Sequence, residues 1–461
     1  MNPPSAQTPG GGAGDMAVAD LLHSWNPRAA LRRDQTRRVQ VEDDVREALQ
    51  HPRAARPSLD QRRQMLELSA RIGVQVSFLG FPAASPQERD QCAALVTHIP
   101  EQGLGLTPVL MARALPEDLR PILDIQQLSA APVTADLYLS TSPIRAAVEG
   151  WDLPTMLGRL DAVARLAAAE NLRFRIAFED STRTPPATLE TCVKAALDLG
   201  ARCLVLNDTV GDCFPAGARR HTAFVADLIR DAGHRLTHDL VPQAEDHASN
   251  PQALIEQSGS EQNPCESGGS DRIQLAWHGH NDKGLALANA LAAIEAGATL
   301  ISGTFLGIGE RAGNLALEQL LVVLAAAGNT AYDLTQLVPM GELVAASLGI
   351  EIAPHLPILG TDTFSTATGT HAAAIIKAHH WGTDVEDLVY SAVPASLLGR
   401  QQKLLVGPNS GRTGARAVLQ HLNLPHDDDT VRAVLTHARS VRRTLNDGEL
   451  IRIALHDRRA T

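Results

Sequence analysis

The alternation of strand and helix is clearest in IQLAWHGHNDKGLALANALAAIEAGATLISGTFLG, residues 273–307 of this 461-residue chain. This stretch contains two β-prone runs, IQLAWHGH and TLISGTFLG. Between them lies a helical pattern that ends at Gly297, as a helix with a glycine C-cap would. A strand, a helix and a second strand in that order predict a βαβ unit with parallel strands.

The same alternation of strand and helix precedes this unit. Candidate helices such as LDQRRQMLELSARIG and PATLETCVKAALDLG separate the β-prone runs. Six such runs bring the total to eight strands: RVQVEDD (38–44), VQVSFLG (74–80), GLTPVLMA (105–112), TADLYLSTS (134–142), LRFRIAFED (172–180) and RCLVLND (202–208). Eight strands in strict alternation with helices predict an α/β protein with a closed parallel (β/α)8 TIM barrel.

The remaining sequence divides around this barrel, which we expect to occupy residues 38–328. Residues 1–37 are Pro/Gly-rich and then Arg-rich, which favours a flexible N-terminal extension. The segment at about 238–272 is rich in Ser, Gly and Asn and predicts a polar surface insertion. After the eighth helix the pattern changes, and residues 329–461 predict a linker and a smaller, mostly helical subdomain.

Charge and cysteine content narrow the function classes. The chain has 41 basic and 52 acidic residues, a net charge of −11, which disfavours nucleic acid or an anionic membrane as a partner. Its five cysteines have no CxxC spacing, so neither a disulfide framework nor a thiolate zinc site is indicated. No stretch is apolar for long enough to span a bilayer, and we expect a cytoplasmic protein.

The strongest chemical signal is His278-Gly279-His280 at the end of a predicted strand. Residues i and i+2 of a strand face the same side, so two imidazoles at this spacing can bind one metal ion at the mouth of a barrel. A carboxylate after the first strand, in DDVREALQ, would complete a two-His, one-carboxylate site. The alternative is a pair of ordinary polar residues at a strand end and a solvated helix turn.

These residues also carry a family resemblance. HGHNDKGLALANALAAIEAGATLISGTFLGIGERAGNLALE (278–318) resembles the signature of the group of 2-isopropylmalate, homocitrate and citramalate synthases, with 3-hydroxy-3-methylglutaryl-CoA lyase as a more distant relative. Further family motifs follow in the family's order: GFPAASP (80–86), AFEDSTRT (177–184), NDTVG (207–211), ILGTDTFSTATGTH (358–371) and GPNSGR (407–412).

The resemblance implies an active site built around a divalent cation, Zn, Mg or Mn. Glu47, His278 and His280 match the metal ligands, with Asn314 nearby as a further candidate ligand. Arg46 matches the catalytic arginine. The family's TTLRDGEQ or TTLREGEQ reads DDVREALQ here, so the Arg-acid pair and Gln50, a candidate substrate contact, are retained, whereas both threonines and the glycine are lost.

Four more residues match family positions near the reacting groups. Glu179 matches a residue of the acid/base steps, and Thr209 matches a contact to the 2-oxo acid. His371 and Tyr390 match a His and a Tyr that reach the neighbouring subunit's site in the family, which implies a homodimer. The alternative for each is ordinary structural hydrogen bonding.

By this resemblance the substrates are acetyl-CoA and a 2-oxo acid, joined by a Claisen-type condensation. Arg175 lies four residues before Glu179 and matches an arginine that binds the distal carboxylate in homocitrate synthases. Arg145 replaces a histidine of isopropylmalate synthases. Together they favour a 2-oxo acid with a second anionic group, a carboxylate or a phosphonate. Against this, the family serine between Arg175 and Glu179 is Ala177.

Three other functions stay open at this point. The chain can be a 2-isopropylmalate or citramalate synthase with an uncharged 2-oxo acid. It can be a metal-dependent carbon–carbon lyase of the hydroxymethylglutaryl-CoA lyase type, although TFSTATGTH and NSGR favour a synthase. It can also be a degenerate barrel without catalysis, since the first-strand motif is altered.

Overall fold

The computed structural model describes residues 22–23, 36–129, 132–237 and 272–456. The N-terminal segment for which we expected a flexible extension lies almost entirely outside the described residues. The polar segment expected at about 238–272 also lies outside them, except for its last residue.

Eight parallel strands form a closed barrel, which confirms the prediction. With one further two-residue strand, the bounds are β1 Gln40–Asp43, β2 Val76–Gly80, β3 Thr107–Arg113, β4 Thr134–Ser140, β5 Arg173–Glu179, β6 Cys203–Asp208, β7 Arg235–Leu236, β8 Arg272–Gly279 and β9 Leu300–Gly303. The order in the barrel is β6-β5-β4-β3-β2-β1-β9-β8, and β6 pairs with β8 to close the ring. The two-residue strand β7 pairs with the start of β8.

Helices alternate with these strands and cover the barrel. They are α1 Val45–Ala48, α2 Leu59–Ile72, α3 Pro86–Glu101, α4 Pro116–Leu128, α5 Pro143–Glu149, α6 Leu153–Ala169, α7 Pro186–Asp198, α8 Pro215–Asp231, α9 Ala286–Glu295, α10 Leu317–Ala326 and α11 Leu337–Leu348. Short 3-10 turns lie at Pro82–Ala84, Ser181–Arg183, Phe305–Gly307 and Leu334–Gln336.

Local sequence explains where these helices begin and end. Ser58 and Gln61 form a reciprocal capping box at the start of α2, and Gly73 ends that helix with a left-handed φ of 97°. The Ser85 side chain caps α3 by accepting a hydrogen bond from the backbone N–H of Glu88, ahead of Pro86 at the first helical position. Helix bounds that follow such signals could therefore be predicted to within a few residues.

The interior of the barrel is filled by apolar side chains from alternate strand positions. Eight buried residues form this cluster: Val76, Phe78, Val109, Ala177, Cys203, Val205, Ala276 and Leu300. Because side chains alternate between the two faces of a strand, the neighbouring positions pack against the surrounding helices. The apolar interior supports the carboxyl ends of the strands, where the polar residues converge.

A second compact unit comprises the described residues from Ala353 onward, whereas the barrel unit extends through Ile352 and includes α11. The second unit is mostly helical, as predicted. Its elements are β10 Ser365–Thr366, α12 Gly369–Ala378, α13 Thr383–Leu388, β11 Lys403–Leu404, α14 Arg412–His421, α15 Asp428–Val441 and α16 Asp447–His456, with 3-10 turns at His379–Trp381 and Ala395–Leu398. Its core is formed by apolar residues of 406–454.

Among the described residues, no helix combines the length and the apolar character that crossing a membrane requires.

Candidate active site

A cavity of about 310 Å³ lies at the carboxyl ends of the barrel strands. In a parallel barrel this end carries the loops that build active sites. Every candidate site residue predicted in the barrel lines this cavity except Asn314. The lining includes Arg46, Glu47, Gln50, Arg145, Arg175, Glu179, Thr209, His278 and His280.

The short helix α1 positions two of these residues directly after β1. Asp44 is its N-cap, and the Asp44 Oδ1 atom accepts a hydrogen bond of 2.9 Å from the backbone N–H of Glu47. Arg46 Nη2 lies 2.9 Å from Asp44 Oδ2 and 2.9 Å from Glu47 Oε2. The arginine is thus held beside the carboxylate that is predicted to bind metal.

The two histidines approach Glu47 from β8. His280 Nε2 lies 3.6 Å from Glu47 Oε1, and the ring centroids of His278 and His280 are 5.3 Å apart. His278 Nδ1 lies 3.2 Å from Ser302 Oγ on β9. One ligand atom from each of Glu47, His278 and His280 lies within 4.8 Å of the others, which brings together the three donors predicted from the sequence.

Unpartnered polar atoms at this point test whether the residues fit a metal ion. His280 Nδ1 and Asn314 Oδ1 are buried and have no hydrogen-bond partner among the described residues. His280 and Asn314 also form an isolated β-bridge, so their backbones are adjacent. A buried polar atom without a partner is costly, and a bound cation would satisfy it. Two imidazoles, a carboxylate and an amide oxygen are a donor set that fits a divalent ion.

The protonation states agree with this fit. Burial raises the pKa of Glu47, but Arg46 and the two imidazoles outweigh burial and hold that pKa at about 2. Burial lowers the pKa of His278, and it lowers that of His280 to about 4. Near pH 7 the carboxylate is therefore ionised and both imidazoles are neutral, the forms that bind metal.

Arg175 lies deeper in the same cavity and is paired with two carboxylates. Its Nε donates to Asp136 Oδ1, its neighbour on β4, and its Nη1 lies 2.5 Å from Glu42 Oε2. The three side chains are at most 6% exposed. Burial lowers the pKa of Arg175, but the two carboxylates outweigh it and raise the value well above normal.

Glu179, Thr209 and Arg145 surround the outer part of the cavity. Burial raises the pKa of Glu179, and Arg145 offsets only part of this effect. Thr209 Oγ1 accepts a hydrogen bond of 2.8 Å from the backbone N–H of Asp180, which fixes its hydroxyl beside Glu179. Arg145 lies on α5, and its Nη2 atom is 3.0 Å from Oε1 of Glu149 on the same helix.

Comparison with known proteins identifies the family. The HMGL-like family matches residues 39–239 and 251–344, which is more than half of the chain. The chain belongs to the HMGL-like family. It is 26% identical to the homocitrate synthase AksA of Methanopyrus kandleri, over 83% of this chain and 82% of that protein. It is 27% identical to a 2-isopropylmalate synthase of Campylobacter concisus, over 86% of this chain and 70% of that protein.

These relatives confirm the family resemblance and the prediction that this HMGL-like protein is an enzyme of the acyltransferase class. Among solved structures, hydroxymethylglutaryl-CoA lyase from Pseudomonas aeruginosa aligns with a TM-score of 0.52 and 18% identity, over 68% of this chain and 94% of that chain. This likeness supports the barrel fold alone.

His371 and Tyr390 lie in the second unit of the HMGL-like chain. His371 is on α12, Tyr390 follows α13, and their rings stack with centroids 4.0 Å apart and an angle of 22°. Both side chains are exposed. The structure therefore places these two residues together, as a pair, on the second unit.

Sequence reasoning missed Asp136, and it did not assign roles to Glu42, Asp44 and Ser302. The signal for Asp136 is weak but present, since an aspartate within the run TADLYLS is unusual for a barrel strand. An ionisable side chain at such a position needs a buried partner. Which partner it has depends on the register between β4 and β5, where Asp136 lies directly opposite Arg175.

Proposed function

We propose that this HMGL-like protein catalyses a metal-dependent, Claisen-type condensation of acetyl-CoA with a 2-oxo acid. The observation that carries the proposal is the convergence of Glu47, His278 and His280 within 4.8 Å at the mouth of the barrel. The names of the homocitrate and 2-isopropylmalate synthase relatives support the reaction type.

The neighbouring side chains support each part of this chemistry. A divalent cation at the site would supply Lewis-acid polarisation of the keto carbonyl. Arg46, held beside Glu47, presents a permanent positive charge to an oxygen that becomes negative. Glu179 has a raised pKa and suits a role in accepting or donating a proton.

Gln50 and Thr209 line the cavity and can donate hydrogen bonds to the 2-oxo acid. By the family resemblance, we propose that His371 and Tyr390 assist the acid/base steps at the site of a second subunit in a homodimer. Their rings stack with centroids 4.0 Å apart, so the imidazole and the phenol lie side by side.

The second anionic group that the sequence suggested for the 2-oxo acid depended on Arg175 and Arg145. In the structure Arg175 contacts Glu42 and Asp136, and Arg145 contacts Glu149. These contacts weigh against a free cation for a distal carboxylate or phosphonate.

The test is release of free CoA from acetyl-CoA with pyruvate, 2-oxoisovalerate, 2-oxoglutarate and phosphonopyruvate, each before and after chelation. We expect thiol release only with a 2-oxo acid present, and its loss on chelation. Glu47→Gln should lower kcat/KM roughly 100-fold or more, since it removes a ligand charge.

Glu101→Gln is the matched control, because Glu101 is an exposed residue at the end of α3. It should leave the rate unchanged. Thiol release without a 2-oxo acid, or cleavage of a hydroxyacyl-CoA instead of condensation, would contradict the proposal. Equal rates for the Glu47→Gln variant and the control would contradict the role of the metal site.

A further inference from the structure

Building on the proposed function, we infer that Asp136 determines the charge of the 2-oxo acid that this protein accepts. Together with Glu42, Asp136 neutralises Arg175. The cavity then selects a 2-oxo acid whose side chain is uncharged and rejects one with a distal carboxylate.

The geometry of the triad is fixed by three strands. Asp136 on β4 and Arg175 on β5 are direct register partners, and Glu42 on β1 reaches Arg175 across the barrel interior. Arg175 donates through Nε to Asp136 and through Nη1 and Nη2 to Glu42, the latter at 2.5 and 3.2 Å. Two separate carboxylates thus contact a single guanidinium group.

Two carboxyl groups face one guanidinium group, and their oxygens already accept from its Nε, Nη1 and Nη2 atoms. A third carboxylate bound to Arg175 would lie within a few ångströms of these two acidic groups, which is unfavourable where water is excluded. A free arginine at this position would have the opposite effect and would attract the same carboxylate.

The other guanidinium groups that line the cavity are also paired with carboxylates. Arg46 contacts Asp44 and Glu47. Arg145 contacts Glu149 at 3.0 Å, and Arg311 contacts Asp282 at 2.9 Å. All four arginines of the lining therefore have a carboxylate partner.

Several apolar groups also line the cavity near the triad. The Phe78 ring centroid lies 5.2 Å from the Arg175 guanidinium carbon and covers it. Met111, Tyr138, Ala177 and Val205 line the cavity on strands β3 to β6. An uncharged aliphatic side chain would contact these groups without losing hydration energy, whereas a carboxylate would lose it.

The experiment compares 2-oxoisovalerate with 2-oxoglutarate in wild-type protein and in Asp136→Asn. Wild type should have a higher kcat/KM for CoA release with 2-oxoisovalerate than with 2-oxoglutarate. It should also bind 2-oxoisovalerate more tightly, as measured by calorimetric titration of the metal-free and the metal-loaded protein. Asp136→Asn should shift the ratio of kcat/KM values and the ratio of affinities for the two 2-oxo acids toward 2-oxoglutarate. Each shift should be roughly tenfold or more, the range expected of a charge-assisted hydrogen bond.

Asp118→Asn is the matched control, because Asp118 is also buried and bonded to an arginine, Arg113, at 2.6 Å, but lies outside the cavity lining. It should leave both ratios unchanged. If Asp136→Asn does not fold, Glu42→Gln removes the other carboxylate and should produce the same shift.

Preference of wild type for 2-oxoglutarate, or a ratio that neither folded variant changes, would overturn the inference. The proposed function has a different failing outcome: no CoA is released from acetyl-CoA with any of the 2-oxo acids. In that case the calorimetric ratio still tests the role of Asp136, since it needs only binding.

Discussion

Asp44 lies at the position of the second threonine in the TTLRDGEQ motif that this stretch resembles, and the structure shows what its carboxylate does. It caps α1 through the backbone N–H of Glu47 and contacts Arg46. Burial, only partly offset by Arg46, raises its pKa to about 7. The altered first-strand motif therefore still orients the Arg-acid pair, which argues against a degenerate barrel.

At the scale of single residues, Gly309 is the sharpest test of the metal site. A Cβ on Gly309 would overlap the Asn314 amide and approach Glu47 Cγ to 3.3 Å. We expect Gly309→Ala to displace both side chains and to lower the affinity for a divalent ion by roughly 10- to 100-fold, the range for groups that orient metal ligands. Calorimetric metal titration measures this directly.

Gly158→Ala is the matched control for that substitution. Gly158 lies within α6, and a Cβ there would meet nothing within 4 Å. It should leave metal affinity unchanged and stabilise the helix slightly, since alanine favours helix over glycine. Equal metal affinity in the two variants would show that Asn314 and Glu47 do not need their observed positions.

At the scale of elements, the first turn of α10 supports the Phe305–Gly307 turn beside the site. Glu318 Oε2 accepts a hydrogen bond of 3.0 Å from the backbone N–H of Leu306, a non-glycine residue with a φ of 63°. Glu318 is fully buried, and burial raises its pKa from 4.5 to about 7. This carboxyl group is therefore protonated more readily in the folded state than in the unfolded state.

The raised pKa of Glu318 makes the free energy of unfolding depend on pH. Between pH 4.5 and about 7 the folded state binds more protons at Glu318, so the free energy of unfolding falls as pH rises through this window. The stabilisation that comes from protonated Glu318 is lost above about pH 7, and the full loss amounts to about 3 kcal/mol. Glu318→Gln keeps the acceptor for Leu306 and removes the titration.

Urea unfolding at pH 5 and pH 8 measures this effect. Relative to wild type, Glu318→Gln should gain about 2.5 kcal/mol of unfolding free energy between the two pH values. Glu101→Gln, at an exposed position, should show no such gain. A constant difference between Glu318→Gln and wild type would mean that Glu318 is ionised throughout.

The described chain has two compact units with separate cores, and the three candidate metal ligands belong to one of them. A ligand that binds only the native state suppresses opening of the segments that hold it. We expect added divalent ion to slow hydrogen exchange in peptides that cover 45–50 and 276–282. Exchange in α15, which packs in the core of the second unit, should not change.

Hydrogen exchange followed by mass spectrometry, with and without chelator, checks this expectation. His98→Ala, on α3 and outside the cavity lining, should retain the protection, and His280→Ala should lose it. Protection that appears in α15 and not in 276–282 would place the ion elsewhere in the chain.

The eight strands, the order of the elements and the two imidazoles at a strand end could be predicted from the amino-acid sequence. These features depend on local periodicity and caps, which neighbouring residues set. The family resemblance added Glu47. The contacts of Asp136 and Glu42 with Arg175 could be found only in the folded chain, because these pairings depend on strand register and on closure of the barrel across 133 residues. Burial then sets the charge of each group, and burial is a property of the folded chain rather than of any segment.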